Sequence, residues 1–121
     1  VPIPLREPTF FILTALTTEP LHGYGIVRTV AELSGDRVRL QAGTLYGALD
    51  RLKEDGWIEL DREDVVDGRL RRYYRLTDTG AGVLASETVR LRANADAATA
   101  GLRARAARGG SGGFGPAPGL A

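Results

Sequence analysis

A mainly α chain carrying one small β-hairpin and ending in a long helix is the fold class this sequence predicts, on three observations. Apolar residues recur at helical spacing in three separate stretches before Gly56. Two strand-like runs then flank the turn dipeptide Asp67-Gly68. Beyond them, apolar and small residues repeat in alternating steps of four and three as far as Leu102. With 121 residues, of which 43% are hydrophobic, the chain has room for one modest domain with a marginal core, so a dimer contact is the natural complement.

The first helix is expected over residues 8–18, with Pro8 in its first turn and Phe11, Ile12, Ala15 and Leu16 on one apolar face. Glu19-Pro20 stops it, because a residue before proline is pushed out of the α region. A second helix over residues 23–33 places Ile26, Val27, Val30 and Leu33 inward and ends at Ser34-Gly35. After a polar spacer, Asp36 to Leu40, a third helix over residues 42–55 carries Leu45, Ala48, Leu49 and Leu52 at helical spacing and stops at Gly56.

Trp57-Ile58-Glu59-Leu60 alternates and Arg72-Tyr73-Tyr74-Arg75-Leu76 is rich in strand-favouring aromatics, so a hairpin is expected with Ile58, Leu60, Tyr74 and Leu76 facing inward. Thr77-Asp78-Thr79-Gly80 supplies capping residues for a last helix, whose seam is Leu84, Thr88, Leu91, Ala95, Ala98 and Leu102. Residues 109–121 are mostly Gly, Pro, Ser and Ala and read as a disordered tail. The expected organisation is a winged helix-turn-helix over 1–76, a C-terminal dimerisation helix over 77–108, and that tail.

Without Cys or Met there is neither a disulfide framework nor a thiolate metal site. The apolar run Phe10-Phe11-Ile12-Leu13 falls far short of the roughly 20 residues of a membrane span, and no secretory layout opens the chain. A cytoplasmic protein without a membrane partner is expected. No nucleophile–base pair, phosphate-binding Gly loop or metal-spaced ligand set occurs, so neither an enzyme nor a cofactor is expected. The single histidine, His22, reads as positioning the start of the second helix. The acidic run Glu59 to Asp67 reads as a solvated strand, since alternation splits it across two faces.

A net charge of +1 conceals an uneven distribution. Gly68 to Arg75 holds Arg69, Arg71, Arg72 and Arg75 with no acid, while residues 59–67 hold five acids against Arg62. Three helices, a hairpin and a final helix follow the order of a winged helix with a dimerisation arm. An α-helix fits the major groove of DNA, and a basic hairpin reaches neighbouring phosphates. The candidate DNA-binding residues are therefore Gln41, Thr44, Tyr46 and Arg51 on the third helix, Tyr24 through its hydroxyl, and Arg69, Arg71 and Arg72 on the hairpin. For the arginines the plainer alternative is charge that protects an edge strand. Phe10, Phe11, Leu84, Leu91, Ala95, Ala98 and Leu102 are the candidate dimer interface. Phe10, Phe11, Ile12 and Trp57 are candidates for a small-molecule effector pocket, although Trp57 is most simply a core or interface residue. The near-neutral net charge favours a competing reading, in which the third helix and hairpin grip a partner protein.

Three blocks carry a family resemblance: His22-Gly23-Tyr24-Gly25; then Gly43 to Leu52 (GTLYGALDRL) followed by Asp55-Gly56-Trp57-Ile58; then Arg71 to Gly80 (RRYYRLTDTG). In this order they resemble the signature of PadR-like winged helix-turn-helix regulators, of the small type with a short C-terminal helix. The resemblance implies a homodimeric repressor that binds a palindromic operator in double-stranded DNA and is released by a small-molecule effector. One departure stands inside the second block, where Gly47 replaces the proline of many relatives.

Overall fold

The computed structural model describes residues 4–109. Its elements are α1 (Glu7–Ala15), β1 (Leu21–His22), α2 (Gly23–Leu33), α3 (Ala42–Glu54), β2 (Ile58–Val66), β3 (Arg69–Leu76) and α4 (Asp78–Gly109). The strands form one antiparallel sheet in the order β1-β3-β2. This is a winged helix with a long C-terminal helix. Most of the stretch expected as a tail lies outside the described residues.

The core forms where the apolar stripes of α1, α2 and α3 meet the base of the hairpin. Ile12, Leu13, Ile26, Val30, Leu45, Leu49 and Ile58 have essentially no exposed surface. Leu13 joins them from outside the expected face of α1. That helix also ends three residues before its expected limit. The Leu16 and Thr17 amides turn to the carbonyls of Leu13 and Thr14, and the Thr17 hydroxyl donates to Thr14 O at 2.7 Å, tightening the last turn. Between α2 and α3, the buried Ser34 hydroxyl accepts the Val38 amide at 3.0 Å and holds the connection in place.

Strand β1 was not expected. Two residues are too few to show alternation, and the pairing that defines them, Leu21 with Tyr74 and His22 with Tyr73, is non-local. In the hairpin, Val66 pairs with Arg69 across a two-residue loop in which Asp67 and Gly68 both have positive φ, 51° and 76°. That geometry matches the right-handed twist of the flanking strands and suits this dipeptide. Two apolar residues expected to face inward are open: Leu33 at 47% and Leu60 at 36% exposure. Leu33 is the last residue of α2. Leu60 precedes a register shift at Asp61, beyond which the hairpin extends past the helical core.

The chain divides into two compact units between Glu87 and Thr88. In the first, the start of α4 is capped by Thr77, whose hydroxyl accepts the Gly80 amide at 3.0 Å and donates to Gly56 O at 2.6 Å. Val83 and Leu84 pack on the core, and the buried Glu87 carboxylate accepts the Leu5 amide at 2.9 Å. In the second unit α4 continues to Gly109, with residues 91–109 exposed throughout. Among the described residues no helix is long and apolar enough to cross a membrane.

Gly47 lies on the exposed side of α3, and a Cβ there would meet nothing within 4 Å. Gly47→Ala is therefore expected to stabilise the fold by about 0.5–1 kcal/mol through reduced unfolded-state entropy, read as a higher urea midpoint at unchanged slope. An unchanged or lower midpoint would contradict it.

Candidate nucleic-acid interface

The helical period of α3 decides which of its side chains face solvent. Burial of Leu45, Ala48, Leu49 and Leu52 turns Thr44, Tyr46, Gly47, Asp50 and Arg51 outward. Neither α2 nor α3 has a side-chain N-cap hydrogen bond or an acid in its first turn, so the positive ends of both helix dipoles are uncompensated from within.

An open groove of about 650 Å3 runs between the start of α2, the exposed side of α3 and strand β3. Tyr24 and Tyr46 border it from the helices; Arg69, Arg71 and Arg72 border it from β3, and Asp50 is the one acid in its lining. A Cβ on Gly23 would lie 2.8 Å from the Tyr46 hydroxyl, so the missing side chain lets Tyr46 rest against the first turn of α2. A second, shallower groove at the start of α3 is lined by Gln41, Thr44, Arg37 and Arg39, among others. There Arg37 is held by Glu7 at 3.1 Å, while Arg39 has only a loose 3.7 Å contact with Asp36.

The acids of β2 sort the hairpin arginines into engaged and free. Arg72 faces its register partner Glu63 and donates to it at 2.9 Å. Arg75 reaches Glu59 at 3.0 Å and Asp61 at 3.1 Å. Both guanidiniums are held still more firmly protonated by these carboxylates. Asp64 is the register partner of Arg71, but it is taken by Arg62, which also binds Asp61 and lies 3.9 Å over the Tyr73 ring. Arg69 sits opposite the apolar Val66. Among the described residues, Arg69 and Arg71 thus have no ion pair and share one face of β3.

The sequence model of the Transcriptional regulator PadR-like family matches residues 12–86, from within α1 into α4. The chain belongs to that family. PadR-like proteins are non-enzymatic, DNA-binding transcription regulators. A transcriptional regulator of Mycobacterium tuberculosis is 38% identical over 76 residues, covering 63% of this chain and 67% of that protein. A PadR family regulator from Clostridium difficile superposes with a TM-score of 0.68 at 25% identity, over 80% of this chain and 99% of that one. Bacillus subtilis PadR, solved in complex with operator DNA, gives a TM-score of 0.60 at 27% identity, over 67% of this chain and 47% of that one.

In this PadR-like chain Tyr24, Tyr46, Arg69, Arg71 and Arg72 converge on the first groove, and Gln41 and Thr44 on the second. Arg51 points outward from the last turn of α3 and borders neither. Arg72 reaches the groove already engaged by Glu63, so it is not the free cation that the arginine cluster suggested. Phe10 and Phe11 are half-buried, their rings edge to face at 5.4 Å. Ile12, expected in an effector pocket, is completely enclosed because α1 turns both Ile12 and Leu13 into the core. Trp57 is half-buried against the core, and neither groove includes it. Leu84 edges the core, whereas Leu91, Ala95, Ala98 and Leu102 are exposed. The structure adds His22 and Asp50 to the first groove and Arg37 and Arg39 to the second. The two basic residues of the Asp36–Leu40 spacer were a visible signal for the second groove; nothing local marked His22.

Proposed function

We propose that this chain is a homodimeric repressor that reads a palindromic operator with α3 in the major groove and the β2–β3 wing along the flanking backbone. The observation that carries the reading is that Arg69 and Arg71, which have no ion pair among the described residues, border the same groove as the exposed side chain of Tyr46. Cations without intramolecular partners are free to neutralise phosphates, while the exposed residues of α3 offer donors and acceptors to base edges. The operator-bound Bacillus subtilis relative supports the same use of the fold. Thr44, Gln41 and Arg51 extend the contact along α3, Tyr24 adds a phosphate contact, and Arg72 joins once Glu63 releases it.

The second copy is proposed to pair along Leu91, Ala95, Ala98 and Leu102, with Leu84, Phe10 and Phe11 completing the contact. These α4 residues recur on one exposed helical face, and a helix with no core of its own is stable when such a face is covered. Release by a small apolar effector near Phe10, Phe11 and Trp57 remains part of the proposal, without Ile12. The setting is the cytoplasm, where the operator is found.

Sequencing the DNA that co-purifies with the protein tests the reading. The expected result is enrichment of inverted repeats whose half-sites are spaced by about one helical turn, 34–36 Å, or a multiple of it. Enrichment no better than random genomic DNA would overturn it, and retention of a protein partner after nuclease treatment would favour an interaction module instead.

A further inference from the structure

We propose that His22 is a proton-gated phosphate ligand in the first groove, so that DNA affinity rises as pH falls; the proposal rests on the DNA reading of that groove. The placement follows from β1. Pairing His22 with Tyr73 sets the imidazole on the sheet face that carries Arg71 and Arg69, at the residue immediately before α2. Its ring centroid lies 5.3 Å from that of Tyr73 and 6.5 Å from that of Tyr24, and a Cβ on Gly25 would lie 3.4 Å from His22 Nδ1. The imidazole therefore packs on the first turn of α2 while bordering the groove.

The groups around it are mostly cationic or neutral. Strand β3 contributes Arg71 and Tyr73, with Arg69 and Arg72 further along the same groove. Tyr24 comes from α2, Tyr46 and Asp50 from α3, and Arg62 of β2 lies over the Tyr73 ring. Asp50 is the sole carboxylate of the lining, against three arginines, and the positive end of α2 adds to the cationic side. Burial first, and Arg71 second, hold the imidazole below its ordinary value, so the free protein keeps it neutral near pH 7. A phosphodiester in the groove outweighs both influences, although it removes further water from the ring. It offsets the Arg71 charge and accepts a hydrogen bond from the imidazolium, which raises the bound-state value and makes binding take up a proton.

The direction follows from linkage. Affinity is independent of pH above the bound-state value, rises as pH falls between the bound and free values, and levels off below the free one. Each unit of separation is worth about tenfold in affinity.

The full chain and a duplex enriched by its binding from a randomised pool provide the test. His22 is the single histidine of 121 residues, so its imidazole signal can be followed by NMR without overlap. Adding the duplex is expected to move that titration upward. Wild-type affinity should rise about fivefold to tenfold between roughly pH 8 and pH 6, while His22→Gln, whatever its affinity at pH 8, gains less than about twofold over the same range. An unmoved imidazole titration, or an equal rise in His22→Gln, overturns the proposal while leaving the DNA reading intact. Failure to enrich any duplex at either pH overturns the DNA reading, and this proposal with it.

Discussion

Replacing Arg69 and Arg71 together by alanine is expected to weaken binding to an enriched duplex about 100-fold at roughly 0.1 M salt, taking about 1.5 kcal/mol for each lost charge-assisted contact. The same change should flatten the plot of log affinity against log salt by nearly two, since two fewer phosphates release counterions. The effect is assigned to this pair because the other hairpin arginines are occupied: Arg72 by Glu63, Arg75 by Glu59 and Asp61, and Arg62 by Asp61 and Asp64. Arg75→Ala is the contrast, and it should alter binding less than about threefold, because an exposed ion pair contributes little and its loss removes no free cation. Glu63→Gln should tighten binding by a similar small factor by releasing Arg72 into the groove. Salt titrations of the four proteins on one duplex check the whole set. An undiminished salt slope in the double variant would take the wing out of the interface.

Gly80→Ala is expected to destabilise the fold by about 3 kcal/mol, near the upper end for overpacking a rigid site. A Cβ at Gly80 would collide with the Trp57 carbonyl oxygen and lie 2.9 Å from Leu76 Cδ1. Neither side can yield cheaply. The Trp57 carbonyl accepts the Thr77 amide at 3.1 Å, and the Thr77 hydroxyl is tied to both Gly56 O and the Gly80 amide. Moving the start of α4 away would break this cap and uncover Val83 and Leu84. For a domain of this size the loss corresponds to a Tm lower by roughly 15 °C in a circular-dichroism melt. Gly82→Ala is the control, two residues along in the same helix, where a Cβ meets nothing within 4 Å. It should be neutral or slightly stabilising. Equal melts for the two variants would show that α4 can shift without cost.

The near-neutral net charge favoured a protein partner over DNA when it was read as an average. In the folded chain the acids of β2 are spent on Arg62, Arg72 and Arg75, which leaves Arg69 and Arg71 without an ion-pair partner among the described residues. Counting charges along residues 59–75 identified both groups, but their cancellation depended on cross-strand register and on the shift at Asp61, which no local count reveals. His22 was missed for a related reason. Its neighbours in sequence marked it as the start of α2, whereas its neighbours in space, Tyr73 and Arg71, lie some fifty residues away.

What these residues determine by themselves is local. The 3.6-residue period buries Leu45, Ala48, Leu49 and Leu52 and so turns Tyr46 outward; Asp67-Gly68 makes the turn; Thr77 caps α4. Each depends on atoms a few residues apart, so composition and spacing suffice to state it. Tertiary structure alone decided which arginines are free, that Ile12 is sealed, that Leu60 is open and that a two-residue strand carries His22 into the groove. Those outcomes depend on strand register and on how far the core extends beneath the hairpin, and both are set by contacts between segments distant along the chain.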